Sequence, residues 1–304
     1  MIRVIDKEVL SSDKTHMLKG KIYIPEGSAK GMFHVVHSMT DHIGRYDDFM
    51  RQIAEEGFIV FGYDHLGHGM TALNYGELGF FAHENGWEKL VDDVFLFGNE
   101  IRKAMGGELP FILMGHSMGS FIVRLAAAKY NHWDKLILMA TSSSDHKAGL
   151  GIKAAGILKK LKGERHISKY LYKMAFGDYN KNFEDERDNF AWLSTQIEVR
   201  DNYRLDKFCT FLFSVSAMQD LFRLMKYSND KKWFSEIDKQ KPIYLISGAE
   251  DPTGDYGAGV TTVYVTLKAA GATVDMKIYP NVRHEILNDT SRRTVIWDIK
   301  AFIK

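Results

Sequence analysis

Residues Phe111-Ile112-Leu113-Met114-Gly115-His116-Ser117-Met118-Gly119 decide the reading of this chain. Four apolar residues, Phe111 to Met114, have the length and character of a buried strand, and Ser120 to Tyr130, with Ala126-Ala127-Ala128 inside it, has those of a helix. The pentapeptide between them, Gly115 to Gly119, fits G-x-S-x-G. In that pattern a strand turns sharply into a helix, the backbone is strained at the serine, and the flanking glycines let neighbouring chain pass close by. Ser117 is then presented to a reactant. The plain alternative is a Gly-Ser turn without chemistry, and the strand and helix flanks argue against it.

A serine hydroxyl is a poor nucleophile without a base, and the base needs an acid to orient it, in the chain order Ser, Asp/Glu, His. Both partners are present downstream. Pro242 to Gly248 reads as a buried strand running into Ala249-Glu250-Asp251-Pro252, and the loop at a strand's carboxyl end is where open α/β sheets place ligand-facing groups. Asp251 is the candidate acid, with Glu250 and Asp255 as weaker alternates. The strand Val274 to Tyr279 is followed by Pro280-Asn281-Val282-Arg283-His284, which puts the candidate base His284 on a loop before the last helix. Taken singly, each is an ordinary turn or helix-start residue; together they follow three different strands in the required order.

Along residues 1–140, apolar runs (Lys21 to Ile24, Met32 to Val36, Phe58 to Tyr63, Leu136 to Met139) alternate with helical stretches (Arg45 to Glu56, Trp87 to Met105). Such alternation predicts a mostly parallel central sheet with helices on both faces. From Thr141 to Trp233 no strand signal appears, and it returns at Ile243. The division expected is a core of residues 1–140 and 234–304 with a helical cap insert of residues 141–233. In the cap, Leu150, Ala154, Ile157, Leu158 and Leu161 repeat at helical spacing with Lys153, Lys159, Lys160 and Lys162 on other faces. A second helix is expected to carry Phe208, Leu212, Val215, Met218, Phe222 and Met225 on one side. Some of these faces pack the cap on the core; the remainder is expected to line an acyl-chain pocket, with Phe211, Phe222 and Met225 as contacts, or to touch a membrane or micelle transiently.

Composition bounds the rest. The chain has 304 residues, 45% of them hydrophobic, enough for one large core plus an insert. A net charge of +1 gives no electrostatic reason to expect nucleic acid. The one cysteine, Cys209, excludes an internal disulfide framework and fits a reducing compartment, where it reads as a small buried hydrophobe in an aromatic-rich helix. The charged N-terminus, Met1 to Glu8, is unlike a signal peptide, and Phe208 to Met225 is interrupted by Gln219, Asp220 and Arg223, so a cytoplasmic protein is expected. The histidines are locally dense at His37, His42, His65 and His68, but His284-Glu285-Ile286-Leu287-Asn288 lacks the second histidine of H-E-x-x-H. No metal and no cofactor is expected; His65 and His68 read as hydrogen-bonders that order a glycine-rich loop.

With these motifs on the page, the chain resembles the α/β-hydrolase superfamily, and within it the monoacylglycerol lipase and lysophospholipase branch, the serine-aminopeptidase-like hydrolase 4 group. The resemblance rests on His37-Ser38-Met39-Thr40-Asp41-His42 with Gly44-Arg45-Tyr46, on Tyr63-Asp64-His65-Leu66-Gly67-His68-Gly69, on Gly115 to Gly119, on Gly254-Asp255-Tyr256-Gly257 and on Arg283-His284-Glu285. It implies Ser117 as nucleophile, Asp251 as acid, His284 as base, and the amides of Met39 and Met118 as the oxyanion hole, with His37 beside the substrate. The family usually has glycine after the first histidine of the oxyanion loop; here Ser38 stands there. Either that loop has ordinary dihedrals or its geometry is altered.

The activity implied is hydrolysis of small mono-acyl esters, of the monoacylglycerol or lysophospholipid type, through an acyl-enzyme on Ser117. A thioesterase, amidase or aryl-ester hydrolase would use the same three residues, and a non-catalytic binding protein could share the scaffold.

Overall fold

The computed structural model describes residues 2–105, 107–143, 147–177 and 179–304. Strands β1 (Arg3–Leu10), β2 (Met17–Ile24) and β3 (Gly31–Val36) open the chain. Helix α1 (Asp47–Glu55) then precedes β4 (Phe58–Tyr63), α2 (Gly86–Met105) precedes β5 (Phe111–His116), and α3 (Met118–Tyr130) precedes β6 (Lys135–Met139). Helices α4 (Ala148–Lys162), α5 (Lys169–Phe176), α6 (Ile197–Leu205), α7 (Val215–Ser228) and α8 (Lys231–Glu236) follow. The chain ends with β7 (Ile243–Gly248), α9 (Ala258–Ala269), β8 (Val274–Tyr279) and α10 (Arg292–Ile303).

The strands form one sheet in the order β1-β2-β4-β3-β5-β6-β7-β8. The first two are antiparallel, and from β4 through β8 every pair is parallel. Period-two alternation sorts the strand residues onto the two faces. Phe33, Val35, Ile112, Met114 and Ile137 pack with Ile53 of α1 and Ile296 and Ile299 of α10. Their neighbours Met32, Val36, Phe111, Leu113 and Leu138 pack instead with Val94 and Phe97 of α2 and Ile122 of α3. A parallel sheet covered on both faces puts all its strand carboxyl ends at one edge, which is where loops from β3, β5, β7 and β8 meet.

Several local features depart from the sequence pattern. Strand β1 has no apolar run to announce it, because as an edge strand paired only to β2 it keeps Arg3, Asp6 and Glu8 in solvent. In the insert, the face Leu150, Ile157 and Leu161 of α4 points outward, at 65%, 59% and 75% exposure, while the small residues Ala148, Gly151 and Ala155 face inward. Gly151 lies so close to α7 that a Cβ there would meet the Phe222 ring at 2.6 Å, so small residues on α4 allow close helix packing and the large ones are left outside. The helix expected from Phe208 starts only at Val215: Ser214 caps it by accepting the amide of Ala217, and Phe208, Cys209, Phe211 and Leu212 lie in the irregular segment before it. Cys209 is buried as expected, though not in a helix. Helix α8 also runs across residue 233, where the insert was expected to end.

Candidate active site

The turn at Ser117 shows why each glycine around it is required. Ser117 has φ 52° and ψ −116°, a strained conformation for a residue with a Cβ. It is held there by its amide bonding to the Met139 carbonyl at 2.9 Å, and by the Ser120 hydroxyl donating to its own carbonyl at 2.6 Å. A Cβ on Gly119 would lie 2.2 Å from the Val36 carbonyl oxygen, and one on Gly115 would lie 2.3 Å from that of Gly119. The chain after β3 therefore crosses directly over the start of α3. That crossing brings Met39 beside Ser117 and Met118 on one cavity wall. Met118 opens α3, and the first amides of a helix have no partner within it and carry partial positive charge.

Asp251, on the loop after β7, is fully buried. Its Oδ1 accepts the Thr253 amide at 2.8 Å and its Oδ2 lies 3.0 Å from His284 Nδ1. The acid and base loops are stitched together by the Glu250 amide donating to Val282 O at 2.9 Å. Burial alone lowers the pKa of His284, but the charge of Asp251 and the bond to it outweigh burial and leave it above the ordinary histidine value. Neither alternate acid reaches the imidazole: Glu250 lies 3.5 Å from Arg283 Nε, and Asp255 points to solvent at the cavity rim.

A buried charge network, without a sequence rule to announce it, ties the three loops. Arg45 bonds both carboxylate oxygens of Glu285, at 2.7 and 2.5 Å, and Asp41 at 3.0 Å. Burial pushes the carboxyls of Asp41 and Glu285 up, yet Arg45 holds both below their usual range. The Tyr46 hydroxyl donates to Asp41 at 2.8 Å and sits 2.7 Å from His116 Nδ1, and His116 Nε2 is 3.3 Å from the carbonyl oxygen of His284. Burial and the nearby His284 pull the pKa of His116 down to about 4, so it is neutral at pH 7. The residues quoted earlier as motif members thus join the loop after β3, the turn at Ser117 and the loop after β8.

The loop after β3 answers the question raised by Ser38. Ser38 is absent from the positions with positive φ; Thr40 takes that conformation instead, at φ 46°, with its hydroxyl 2.7 Å from that of Tyr203 in α6. His37 is fully buried and braces the loop from behind: its Nδ1 bonds Ser38 O at 2.8 Å and its Nε2 accepts the His65 amide at 3.0 Å. It does not line the cavity. His65 and His68 bond backbone oxygens of His37 and Leu66, and among the described residues His37, His65 and His68 do not converge on one point.

Above Ser117 lies a cavity of about 300 Å³. Its apolar wall combines Met39, Met118 and Phe121 of the core with Met174 and Phe176 of α5 and Leu221, Phe222 and Met225 of α7; Lys147, Thr253, Asp255 and Tyr256 supply a polar side. Phe222 and Met225 are where they were expected. Phe211 is not: its ring packs against His68 and Phe213, at 5.3 and 6.1 Å, and is absent from the cavity wall. Met174 and Phe176 went unnoticed because nothing in an isolated eight-residue helix tells which face meets a cavity. Trp192, whose ring lies 5.1 Å from that of His284, sits in a short turn (Ala191–Leu193) that carries no sequence periodicity.

Comparison with known proteins agrees with this geometry. Residues 27–291 match the family described as serine aminopeptidase S33, or hydrolase 4. The monoglyceride lipase homolog of monkeypox virus is 23% identical over 93% of this chain and 92% of its own. The monoacylglycerol lipase of Mycolicibacterium smegmatis is 22% identical over 93% and 91%. Among solved structures, a thermostable carboxyl esterase from Bacillus coagulans, crystallised with glycerol, is 28% identical with a TM-score of 0.93, covering 100% of this chain and 98% of that one. An eight-stranded, mostly parallel sheet with this strand order, an elbow after β5 and these likenesses have one reading: the chain has the α/β-hydrolase fold and belongs to the serine aminopeptidase S33 (hydrolase 4) family, as a monoacylglycerol lipase-like member.

Proposed function

We propose that this protein hydrolyses mono-acyl carboxylic esters of the monoacylglycerol or lysophospholipid type. The observation that carries the reading is the strained Ser117 on the wall of a largely apolar cavity, with the buried, bonded pair Asp251–His284 on the loops after β7 and β8. In this reading His284 takes the proton of the Ser117 hydroxyl as its oxygen attacks the acyl carbonyl, and Asp251 fixes the tautomer and stabilises the imidazolium. The amides of Met118 and Met39 receive the developing oxyanion. The alcohol leaves with the proton from His284, and water activated by the same imidazole releases the fatty acid and regenerates Ser117. No cofactor takes part. The wall of Met174, Phe176, Phe222 and Met225 receives the acyl chain, and the side with Lys147, Thr253 and Asp255 receives the polar head.

Substrate delivery fits the outward face of α4. Leu150, Ile157 and Leu161 are exposed beside Lys153, Lys160 and Lys162, and the same helix begins at the cavity with Lys147 and Ala148. An apolar stripe edged with cations suits an anionic lipid surface. No helix among the described residues is long and apolar enough to cross a membrane, so the contact proposed is peripheral, from a cytoplasmic protein.

The test is turnover of a panel of monoacylglycerols, lysophospholipids, thioesters and nitrophenyl esters of graded chain length, with fluorophosphonate labelling of Ser117. Labelling together with preference for medium or long mono-acyl esters supports the reading. Labelling with preference for thioesters or amides replaces the substrate class, and a folded protein that neither labels nor turns over any ester overturns it.

A further inference from the structure

The junction between the loop after β3 and the segment after α6 holds a group of side chains that the ester chemistry does not use. His42, Asp206 and Cys209 each offer one ligand atom, all within 4.8 Å of one another, and His42 Nε2 is 2.8 Å from Asp206 Oδ2. We propose that these three residues form a binding site for a borderline divalent cation of the zinc class.

Several features make this more than proximity. Asp206 and Cys209 are the ends of an Asp-x-x-Cys turn closed by the Cys209 amide on the Asp206 carbonyl at 3.0 Å, so both ligands ride on one fixed piece of backbone. Asp206 Oδ1 is occupied by the Phe208 amide at 2.8 Å, which aims Oδ2 at His42. Zinc bonds nitrogen and oxygen at about 2.0–2.2 Å and sulfur at about 2.3 Å, so tetrahedral ligands stand roughly 3.3–3.6 Å apart; the trio reaches that with side-chain shifts of about 1 Å. The Cys209 thiol is 1% exposed, whereas the His42 and Asp206 side chains are 19% and 28% exposed, which leaves a solvent side for entry and for a water as fourth ligand. Burial, and after it the charges of Asp41, Asp206 and Glu285, hold the Cys209 thiol protonated, so a cation must displace its proton to bind the sulfur. An imidazole, a carboxylate and a thiolate select zinc, cobalt or cadmium over magnesium or calcium.

Binding breaks the sulfur–hydrogen bond, forms a metal–sulfur bond and releases the proton to solvent, with no change of oxidation state. The metal replaces the hydrogen bond between His42 and Asp206, and it ties the segment three residues beyond Met39 to the turn that follows α6. The inference stands apart from the ester reading, since it needs neither Ser117 nor a substrate.

The full-length protein, freed of metal by chelation, is titrated with Co²⁺ and its absorption followed, then with Zn²⁺ while its thermal melt is recorded. The expected result is a thiolate-to-cobalt charge-transfer band displaced by Zn²⁺, and a melting temperature that rises with Zn²⁺. Cys209→Ser removes the band and weakens Co²⁺ binding by at least about tenfold, and Asp206→Asn weakens binding while keeping the band. Mg²⁺ moves neither signal. Should Cys209→Ser fail to fold, blocking the wild-type thiol with iodoacetamide under mild denaturant and refolding gives the same loss of the band. Cobalt binding without a sulfur band, binding untouched by Asp206→Asn, or no shift of the melt by Zn²⁺ overturns the site.

Discussion

Arg45 and Glu285 lie 240 positions apart in sequence and meet through two parallel hydrogen bonds in the interior. Glu285 adjoins His284, and Arg45 also holds Asp41 on the loop that carries Met39. The pair therefore fixes the loop after β8 and the loop after β3 relative to each other, through charges whose burial makes the loss of either one costly.

Arg45→Gln leaves Asp41 and Glu285 without their counter-charge. Breaking a buried ion pair from one side costs about 3–5 kcal/mol, and the expected result is a denaturation midpoint lowered to match. Ester turnover should fall with it, through kcat more than KM, because the substrate touches neither residue. The double variant Arg45→Gln with Glu285→Gln should recover part of the lost stability; chemical denaturation of the two variants checks this, and equal losses would count against a charge-pair origin.

Ser117→Ala and His284→Ala should each reduce kcat by on the order of 10³ or more; Ser117→Ala should leave the melt at or above that of the parent, whereas His284→Ala, which strands the buried Asp251, should lower it. Asp251→Asn should cost roughly 10⁴ through the wrong imidazole tautomer, whereas the exposed Asp255 tolerates Asn with little change. Steady-state kinetics on a short nitrophenyl ester decides, and a folded Ser117→Ala protein with normal turnover would falsify the proposed reaction.

Because Asp251 holds the pKa of His284 above its ordinary value, acidification should reduce kcat/KM with an apparent pKa above about 6.5. Asp251→Asn removes that support and should move the acid limb to lower pH. The folded protein binds this proton more tightly than the unfolded chain does. The pair's contribution to stability is thus complete below about pH 6.5 and fades as pH rises through the folded pKa. Activity profiles and urea midpoints across pH 5 to 9 test both halves, and a flat acid limb would remove histidine as the base.

Phe222→Ala and Met225→Ala should weaken hydrolysis of long-chain monoesters and spare acetyl and butyryl esters, since each acyl CH₂ buried is worth about 0.8 kcal/mol. Phe211→Ala, outside the cavity, should not alter chain-length preference. If all three variants lose long and short esters in the same proportion, α7 is not the acyl wall.

What could be read in advance follows from how each feature is encoded. The strand–turn–helix around Ser117 and the strands before Asp251 and His284 are local patterns; the structure forms the strained turn at Ser117 and bonds Asp251 to His284. Arg45, Tyr46, His116 and Glu285 appear in the sequence as motif letters, but their joint burial depends on loops from different strands meeting, which no spacing states. In the insert, periodicity marks α4 but does not divide its apolar residues: Gly151 and Ala155 make the close packing, Ala154 and Leu158 are half-buried against the core, and Leu150, Ile157 and Leu161 stay outside. The extended run from Phe208 was lost to one capping serine, Ser214.

The backbone at Ser117 also sets a stability balance. A non-glycine residue at φ 52°, ψ −116° costs of order 1–3 kcal/mol, a cost that glycine in the same place would largely avoid. Ser117→Gly should therefore raise the melting temperature while removing the hydroxyl that the proposed reaction uses, so stability and the proposed chemistry pull in opposite directions at this one position.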